Sequence, residues 1–459
     1  MKKSSLGLVA VAAASGLFIA GCSSSADPAP NSTPAGSASG GGAAMAAGCE
    51  DYAQYGTFDG SEVEVYATIQ GQEADDLVTS FVQFEECTGI TVNYVGTQEF
   101  ETQINVRVEG GDAPDLAIFP QPGLLSRIVA TGKVIPAPQA VADNVDKFWS
   151  ESWKQYGTID DTFYAAPLMA SVKGYIWYSP KEFADKGYEV PATWGDMMTL
   201  SEKMAADNDS PTYRPWCIGF ESGDATGWSG TDWIEDIVLR QAGPEVYDQW
   251  VAGDVKFSDP QIVKAFDTFG DIAKNDKLVN GGFGGPASIV STSFNDAGLP
   301  ILDGNCSLHH QASFYEAQWP EGTNVAEDGD VWAFIAPPVN AGDPAAVTGG
   351  GEFVAAFNEE PATAALQAFM ASDTWANTRV SLGGVISANK GLDPANASSP
   401  IGEASIKILQ GEDTVFRFDA SDLMPAAVGA ASFWTGITDW VIGTKDTQQT
   451  VAFIDSTWP

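Results

Sequence analysis

An α/β fold is predicted by three observations: short runs in which apolar and acidic residues alternate, apolar positions spaced three to four apart between those runs, and glycines where each helical pattern stops. Val63 and Val65 alternate with Glu62 and Glu64, the pattern of a half-buried strand. Leu77, Phe81 and Phe84 then recur at helical spacing, Gly89 ends the helix, and Ile90, Val92 and Tyr94 alternate again, which completes a βαβ unit. A second round follows: Phe100, Ile104 and Val108 mark a helix, Gly110 and Gly111 stop it, and Leu116 to Phe119 form a short buried strand before Pro120-Gln121-Pro122. Open sheets of this kind bind ligands beyond the carboxyl ends of their strands. That rule points to the loops Gln70 to Glu73 and Pro120 to Pro122, and so to Gln72, Glu73 and Gln121 as candidate ligand contacts.

The chain has 459 residues, 44% of them hydrophobic and 11% aromatic, which is globular composition and enough for two domains. The 61 acids outnumber 22 bases, giving a net charge of −39. Such a surface repels nucleic acid and anionic lipid and disfavours partnership with either. The extreme N-terminus is different. Lys2 and Lys3 precede an apolar run from Leu6 to Ala20, too short to reside in a bilayer comfortably and suited to a secretory signal over residues 1–21. Ile19-Ala20-Gly21-Cys22 resembles the lipobox of bacterial lipoproteins, in which the cysteine sulfur is alkylated and becomes the mature N-terminus. A soft thiolate nucleophile suits that chemistry. Ser23 to Gly48 is nearly all Ser, Ala, Gly and Pro and cannot bury apolar surface, so residues 22–50 read as a flexible tether. The expectation is a folded body, monomeric, lipid-anchored at the outer face of the cytoplasmic membrane.

Four further cysteines remain in an exported context: Cys49, Cys87, Cys217 and Cys306. Three disulfide pairings are possible. Cys49 with Cys87 and Cys217 with Cys306 is favoured, because each pair then lies within one half of the chain. No cysteine or histidine spacing indicates zinc, and the adjacent His309 and His310 project differently, so neither a metal nor another cofactor is expected.

Several stretches resemble a known family. "VQFEECTGITVNYVG" followed by "EGGDAPDLAIFPQPGLL" is similar to the N-terminal lobe of the extracellular solute-binding proteins of sugar ABC importers. "YAAPLMASVKGYIWYSPKEFADKGYEVPATWGDMMTLSEKM" resembles their crossover into the second lobe. "WCIGFESGDATGWSGTDWIEDIVLR", "CSLHHQASF", "GGGEFVAAFN", "WANTRVSLGGVISANKG" and "SDLMPAAVGAASFWTGITDWV" resemble the α-glucoside-binding branch. The resemblance implies a maltose-binding-protein-like fold, two α/β lobes closing on a ligand by hinge motion. It implies lobe 1 at 51–169 and 353–389 and lobe 2 at 170–352 and 390–459. The implied function is capture of an oligosaccharide, an α-glucoside, for delivery to a membrane permease, without covalent chemistry. A polyamine or glycerophosphodiester binder is the alternative.

A sugar presents apolar C–H faces and rings of hydroxyls, so its site needs flat aromatics and planar polar groups. "ESGDATGW" supplies Glu221 and Trp228 in a glycine-punctuated turn ahead of a helix expected to begin near Asp232, with Trp233 packing inside that helix. "GGGEF" puts Glu352 after three glycines that let backbone approach a ligand. Asp422 and Trp434 match family positions that face the cleft, and Gln311 matches the "QASF" position.

Enzymatic readings are weaker. Glu235-Asp236 is the obvious glycosidase-like acid pair, yet sequence neighbours on a helix face apart, and a solvated surface is expected for them. No G-x-S-x-G elbow accompanies the histidines, and Gly281 to Gly285 and Gly349 to Gly351 lack the G-K-[ST] of a phosphate loop.

Overall fold

The computed structural model describes residues 48–411 and 414–459. The expected signal, Cys22 and nearly all of the expected tether lie outside the described residues. Strand β1 (Glu62–Ala67) pairs in parallel with β2 (Thr91–Gly96), Val63 opposite Val92, and with β3 (Leu116–Phe119), Val65 opposite Leu116. The intervening helices are α1 (Gln72–Thr79), α2 (Val82–Thr88) and α3 (Phe100–Gly110), with α4 (Pro122–Val129) after β3. Gly89 and Gly111 cap α2 and α3 in the left-handed conformation, at φ 74° and 78°. Both βαβ units form, but the single helix expected through Leu77, Phe81 and Phe84 is two helices, α1 and α2, interrupted at Ser80-Phe81.

A small hairpin of β4 (Thr158–Ile159) and β5 (Thr162–Phe163) leads into the long strand β6 (Ala165–Val172). A second sheet is antiparallel, with β7 (Tyr175–Tyr178) between β8 (His309–Gln311) and β9 (Trp332–Ile335). Strand β10 (Ala346–Ala356) returns antiparallel to β6 and joins the first sheet, whose order is β11-β10-β3-β1-β2, with β11 spanning Val415–Phe418. The β6/β10 ribbon spans two cores. Leu168 and Phe353 belong to the core under β1 and β3, together with Val65, Phe84, Ile118 and Phe369. Val172 and Val347, on the other half of the same strands, pack with Tyr175, Trp177 and Tyr315. A further core surrounds the helix Trp228–Ala242 and includes Trp216, Trp233, Phe269 and Trp440.

That helix corrects two expectations. It begins at Trp228, four residues before Asp232, because Gly227 adopts φ 116° and starts it without a side-chain cap. Glu235 and Asp236 are not solvated: they are 0% and 1% exposed, since every residue from Ser229 to Leu239 is buried. The helix is wrapped on all sides, so its two acids face different internal partners rather than water. Trp233 packs inside as expected, its ring stacked on Phe269 at 4.9 Å.

The favoured cysteine pairing is present. Cys49 joins Cys87 and Cys217 joins Cys306, with Cα separations of 5.4 and 6.0 Å. No helix of the described residues is long and apolar enough to cross a membrane.

Candidate functional site: a two-chambered cleft

Two cavities meet at Pro120, Lys173, Phe314 and Asp422. The larger, of about 490 Å³, is the aromatic chamber. Trp228, Phe294, Phe314 and Trp434 line it, with Gln98, Gln121, Asn295, Glu101 and Glu221 between them. The smaller, of about 260 Å³, is bordered by Glu73, Glu316, Glu352 and Asp422 and by Ser171, Ser313 and Ser399, with Phe314 as its one aromatic among the described residues.

Local structure explains why these residues converge. Thr68 follows β1, Gln98 and Glu101 follow β2, and Pro120-Gln121 follow β3, so all reach the cavity from the carboxyl ends of parallel strands. Gln121 is 7% exposed and its Oε1 has no hydrogen-bond partner, leaving an acceptor for a ligand. Across the cavity, Trp228 opens its helix and meets Phe294 edge-on at 5.0 Å and Phe314 at 6.0 Å. Gly227 lies against the Trp434 backbone, where an added Cβ would sit 2.5 Å from the Trp434 carbonyl oxygen. The two tryptophan-bearing helix starts can approach each other only because that residue is glycine. The indole Nε1 of Trp434 is buried and unpartnered.

The β6/β10 ribbon forms the floor. Its register shifts between Gly351 and Phe353, so Glu352 sits on a bulge, released from the ladder and directed to the smaller chamber. The three glycines before it divide their work differently from the expectation. A Cβ on Gly351 would meet the Trp153 ring at 2.6 Å, and one on Gly349 would strike Phe416, so both serve packing behind the ribbon. Only at Gly350 would an added Cβ point to the cavity side, toward Ser171 and Lys173, while Gly351 borders the cavity with its backbone.

Immediately beyond β6, Lys173 anchors a buried polar hub. Its Nζ donates to Asp232 at 2.9 Å and to Asp419, and lies 5.5 Å from the Trp228 ring centroid. Asp419 also accepts from Ser421 Oγ at 2.7 Å and the Asp422 backbone N–H at 2.9 Å, while Glu235 accepts from the N–H groups of Ala420 and Ser421 at 2.8 and 3.2 Å. Burial and the charge of Asp419 push the Asp422 carboxyl well above the usual carboxylate range. Burial opposes charge on Asp419 as well, but Lys173 overrides it and holds that carboxyl low. Oxygens of Asp232, Glu235 and Asp419 lie within 4.8 Å of one another, a donor set of metal-binding type, yet the ammonium of Lys173 already bridges two of the three. Asp236 accepts from His310 Nε2 and Arg240 Nη1 at 2.9 Å and Thr348 Oγ1 at 2.6 Å, and His309 Nδ1 lies 2.8 Å from the Cys217 carbonyl oxygen. The acid pair and both histidines are thus engaged internally and away from the cavities.

Of the nine ligand contacts expected from sequence, seven border the cavities: Glu73, Gln121, Glu221, Trp228, Glu352, Asp422 and Trp434. Gln72 is placed elsewhere, exposed on α1 with its amide donating to Asp76 at 3.0 Å. Gln311 is 2% exposed on β8, and its Oε1 accepts from the N–H of Ala312. Sequence reasoning missed Glu101, Lys173, Phe294, Asn295, Phe314 and Glu316. Phe314 had a readable signal, because it lies in the same "QASF" motif three residues beyond Gln311.

The chain is similar along most of its length to known proteins. It is 37% identical over 414 residues, 90% of this chain and 96% of the other, to the osmoprotective compounds-binding protein GgtB of Synechocystis sp.. It is 34% identical over 427 residues, 90% of each chain, to the alpha-glucosides-binding periplasmic protein AglE of Rhizobium meliloti. Among solved structures, a chitin oligosaccharide binding protein superposes with a TM-score of 0.71 at 17% identity, covering 87% of this chain and 98% of that one. The superposition covers nearly all of that structure, so the mixed α/β chain here shares the two-lobed, maltose-binding-protein-like fold of its structural neighbours. The sequence model of the bacterial extracellular solute-binding proteins matches residues 60–376, and the chain belongs to that family.

Proposed function

We propose that this protein is the ligand-capturing component of an ABC importer and that its ligand is an oligosaccharide, an α-glucoside. The observation that carries the reading is the aromatic chamber. Trp228, Phe294, Phe314 and Trp434 offer ring faces and edges to sugar C–H surfaces, and Gln121, Asn295, Glu101 and Glu221 supply planar polar groups for hydroxyls. AglE is by name a binder of α-glucosides and GgtB a binder of osmoprotective compounds, and the first of these supports the ligand class proposed. Lobes at 51–169 with 353–389 and at 170–352 with 390–459 would hinge at the β6/β10 ribbon and close over the ligand, which is released unchanged on docking to the permease. Lipidation at Cys22 and the following tether would hold the monomeric body near that permease.

The test is calorimetric titration of the chain from Cys49 onward with maltose, trehalose, sucrose and β-linked counterparts. Saturable binding of an α-linked sugar, returned intact, is expected. A second reading has its own support: the carboxyl groups of Glu73, Glu101, Glu221, Glu316, Glu352 and Asp422 border the cleft, against the already paired Lys173. Binding of a polyamine that weakens steeply with salt, with no response to sugars, would establish that reading instead.

A further inference from the structure

The smaller chamber holds two carboxyl groups of different surroundings. Glu352 projects from the β10 bulge, and among the described residues no hydrogen bond is made by its side chain. Glu73 stands at the second position of α1, where the free N–H groups of a helix start favour negative charge. Behind them lies Arg379, 0% exposed, on the helix Asp373–Ser381. Its Nη1 donates to the Gly383 carbonyl at 2.8 Å, while Nε and Nη2 are buried without partners. A buried guanidinium with two idle donors is costly unless nearby anions compensate it.

We infer that Glu73 and Glu352 form an unlike pair, Glu73 an ionised acceptor backed by Arg379 and Glu352 a protonated donor, which together grip one ligand oxygen and one ligand hydroxyl. This deepens the proposed function and rests on the cleft being the ligand site. The electrostatics agree. Burial and the charge of Glu73 push the Glu352 carboxyl up to about 8, with Arg379 opposing. Of the acids that act on Arg379, Glu73 acts most strongly. The other ionisable groups around the pair are consistent with that division. Tyr94 on β2 is held well above its ordinary range by burial and by both glutamates, and its hydroxyl donates to the Ile69 carbonyl at 2.7 Å. Burial raises the Glu73 carboxyl as well, Arg379 opposes that rise, and Asp76, one turn along α1, adds to it; Glu73 keeps the helix start and the stronger hold on Arg379. Glu316 and Asp422 border the same chamber and are raised by burial, and Lys173 is committed to Asp232 and Asp419.

A donor that must keep its proton makes affinity pH-dependent in a defined direction. Binding requires protonated Glu352, so affinity is level below the carboxyl's pKa and falls about tenfold for each pH unit above it. The experiment is titration with the tightest-binding sugar from pH 6 to 9.5 on wild type, Glu352→Gln and Glu73→Gln. Wild type should weaken above about pH 8. Glu352→Gln, which keeps a donor but cannot titrate, should show no such fall whatever its absolute affinity. Glu73→Gln removes the neighbouring charge and should move the fall to lower pH. A level wild-type profile, or a fall that persists unchanged in Glu352→Gln, overturns the inference. Should no sugar bind at any pH, the proposed function fails. The pair is then judged without ligand by ¹³C carboxyl NMR, where the glutamate signal lost in Glu352→Gln must titrate near 8 if the inference holds and near 4 if it does not.

Discussion

Replacing Lys173 with methionine removes one cation and leaves its acids in place. The lysine side chain is 9% exposed, and Asp232 and Asp419 are 3% and 1% exposed, so neither carboxylate can turn to water when its partner is lost. Removing one member of a buried pair costs about 3–5 kcal/mol, because the remaining charge stays desolvated and unpaired. With an unfolding entropy of about 2.1 cal/mol/K per residue, a body of roughly 400 residues should melt about 4–6 °C lower. The deficit should also depend on pH. Burial already holds the Asp232 carboxyl well above the usual range, while Lys173 holds Asp419 low; without Lys173 Asp419 too folds best protonated, and protonating a carboxyl of ordinary value ~3.9 costs more with every pH unit above it. The loss is therefore smallest near pH 5 and largest near pH 8. Scanning calorimetry of wild type and Lys173→Met at the two pH values reads both quantities. A loss below about 1 °C at pH 8, or equal losses at both, would refute the account of Lys173 as the charge that stabilises the hub.

Trp228→Ala should weaken sugar binding about tenfold or more, ~1.4 kcal/mol, by removing a ring that Phe294, edge-on, and Phe314, tilted, hold at the chamber wall; calorimetric titration checks it, and unchanged affinity would move the ligand out of the aromatic chamber. Opening the Cys217–Cys306 disulfide with a Cys217→Ser, Cys306→Ser double variant frees a chain segment closed over 89 residues and should cost about 4–5 kcal/mol by loop entropy. The Cys49–Cys87 closure spans 38 residues and should cost slightly less, about 4 kcal/mol, a ranking that denaturant titration of the two double variants would test.

The first βαβ units were legible because their strands alternate, their helices follow a local period, and α2 and α3 stop at glycines in the left-handed role, Gly89 and Gly111; the break between α1 and α2 at Ser80-Phe81 carries no such signal. Legibility ended where tertiary environment, rather than period, decides. Nothing local distinguishes the buried acids Glu235 and Asp236 from a solvated pair, since their burial comes from Arg240, His310, Thr348 and the backbone at Ala420 and Ser421. The start of their helix was misplaced because Gly227 reads as a loop residue, whereas here it permits contact with the Trp434 backbone. Lys173 was invisible for the same kind of reason: a lone lysine after a strand reads as surface until Asp232 and Asp419 arrive from 59 and 246 residues away.

Those long separations bear on how the site works. Lys173 follows β6, Glu352 lies on β10, and Asp419 and Asp422 follow β11, β10's parallel neighbour, so these four charged groups of the cleft sit on or just beyond the β6/β10 ribbon and the strand paired with it. A ligand oxygen bound to Glu352 or Asp422 would therefore bear on the connecting strands themselves as well as on the walls. The bulge at Glu352 breaks the β6/β10 ladder at the point where the ribbon passes from the core containing Phe353 to that containing Val347, which is where a bend costs fewest backbone hydrogen bonds. In the proposed closure, binding at that position would favour the ribbon curvature that brings Trp228 and Trp434 toward Gln121, and differential affinity between two curvatures is all that such closure requires.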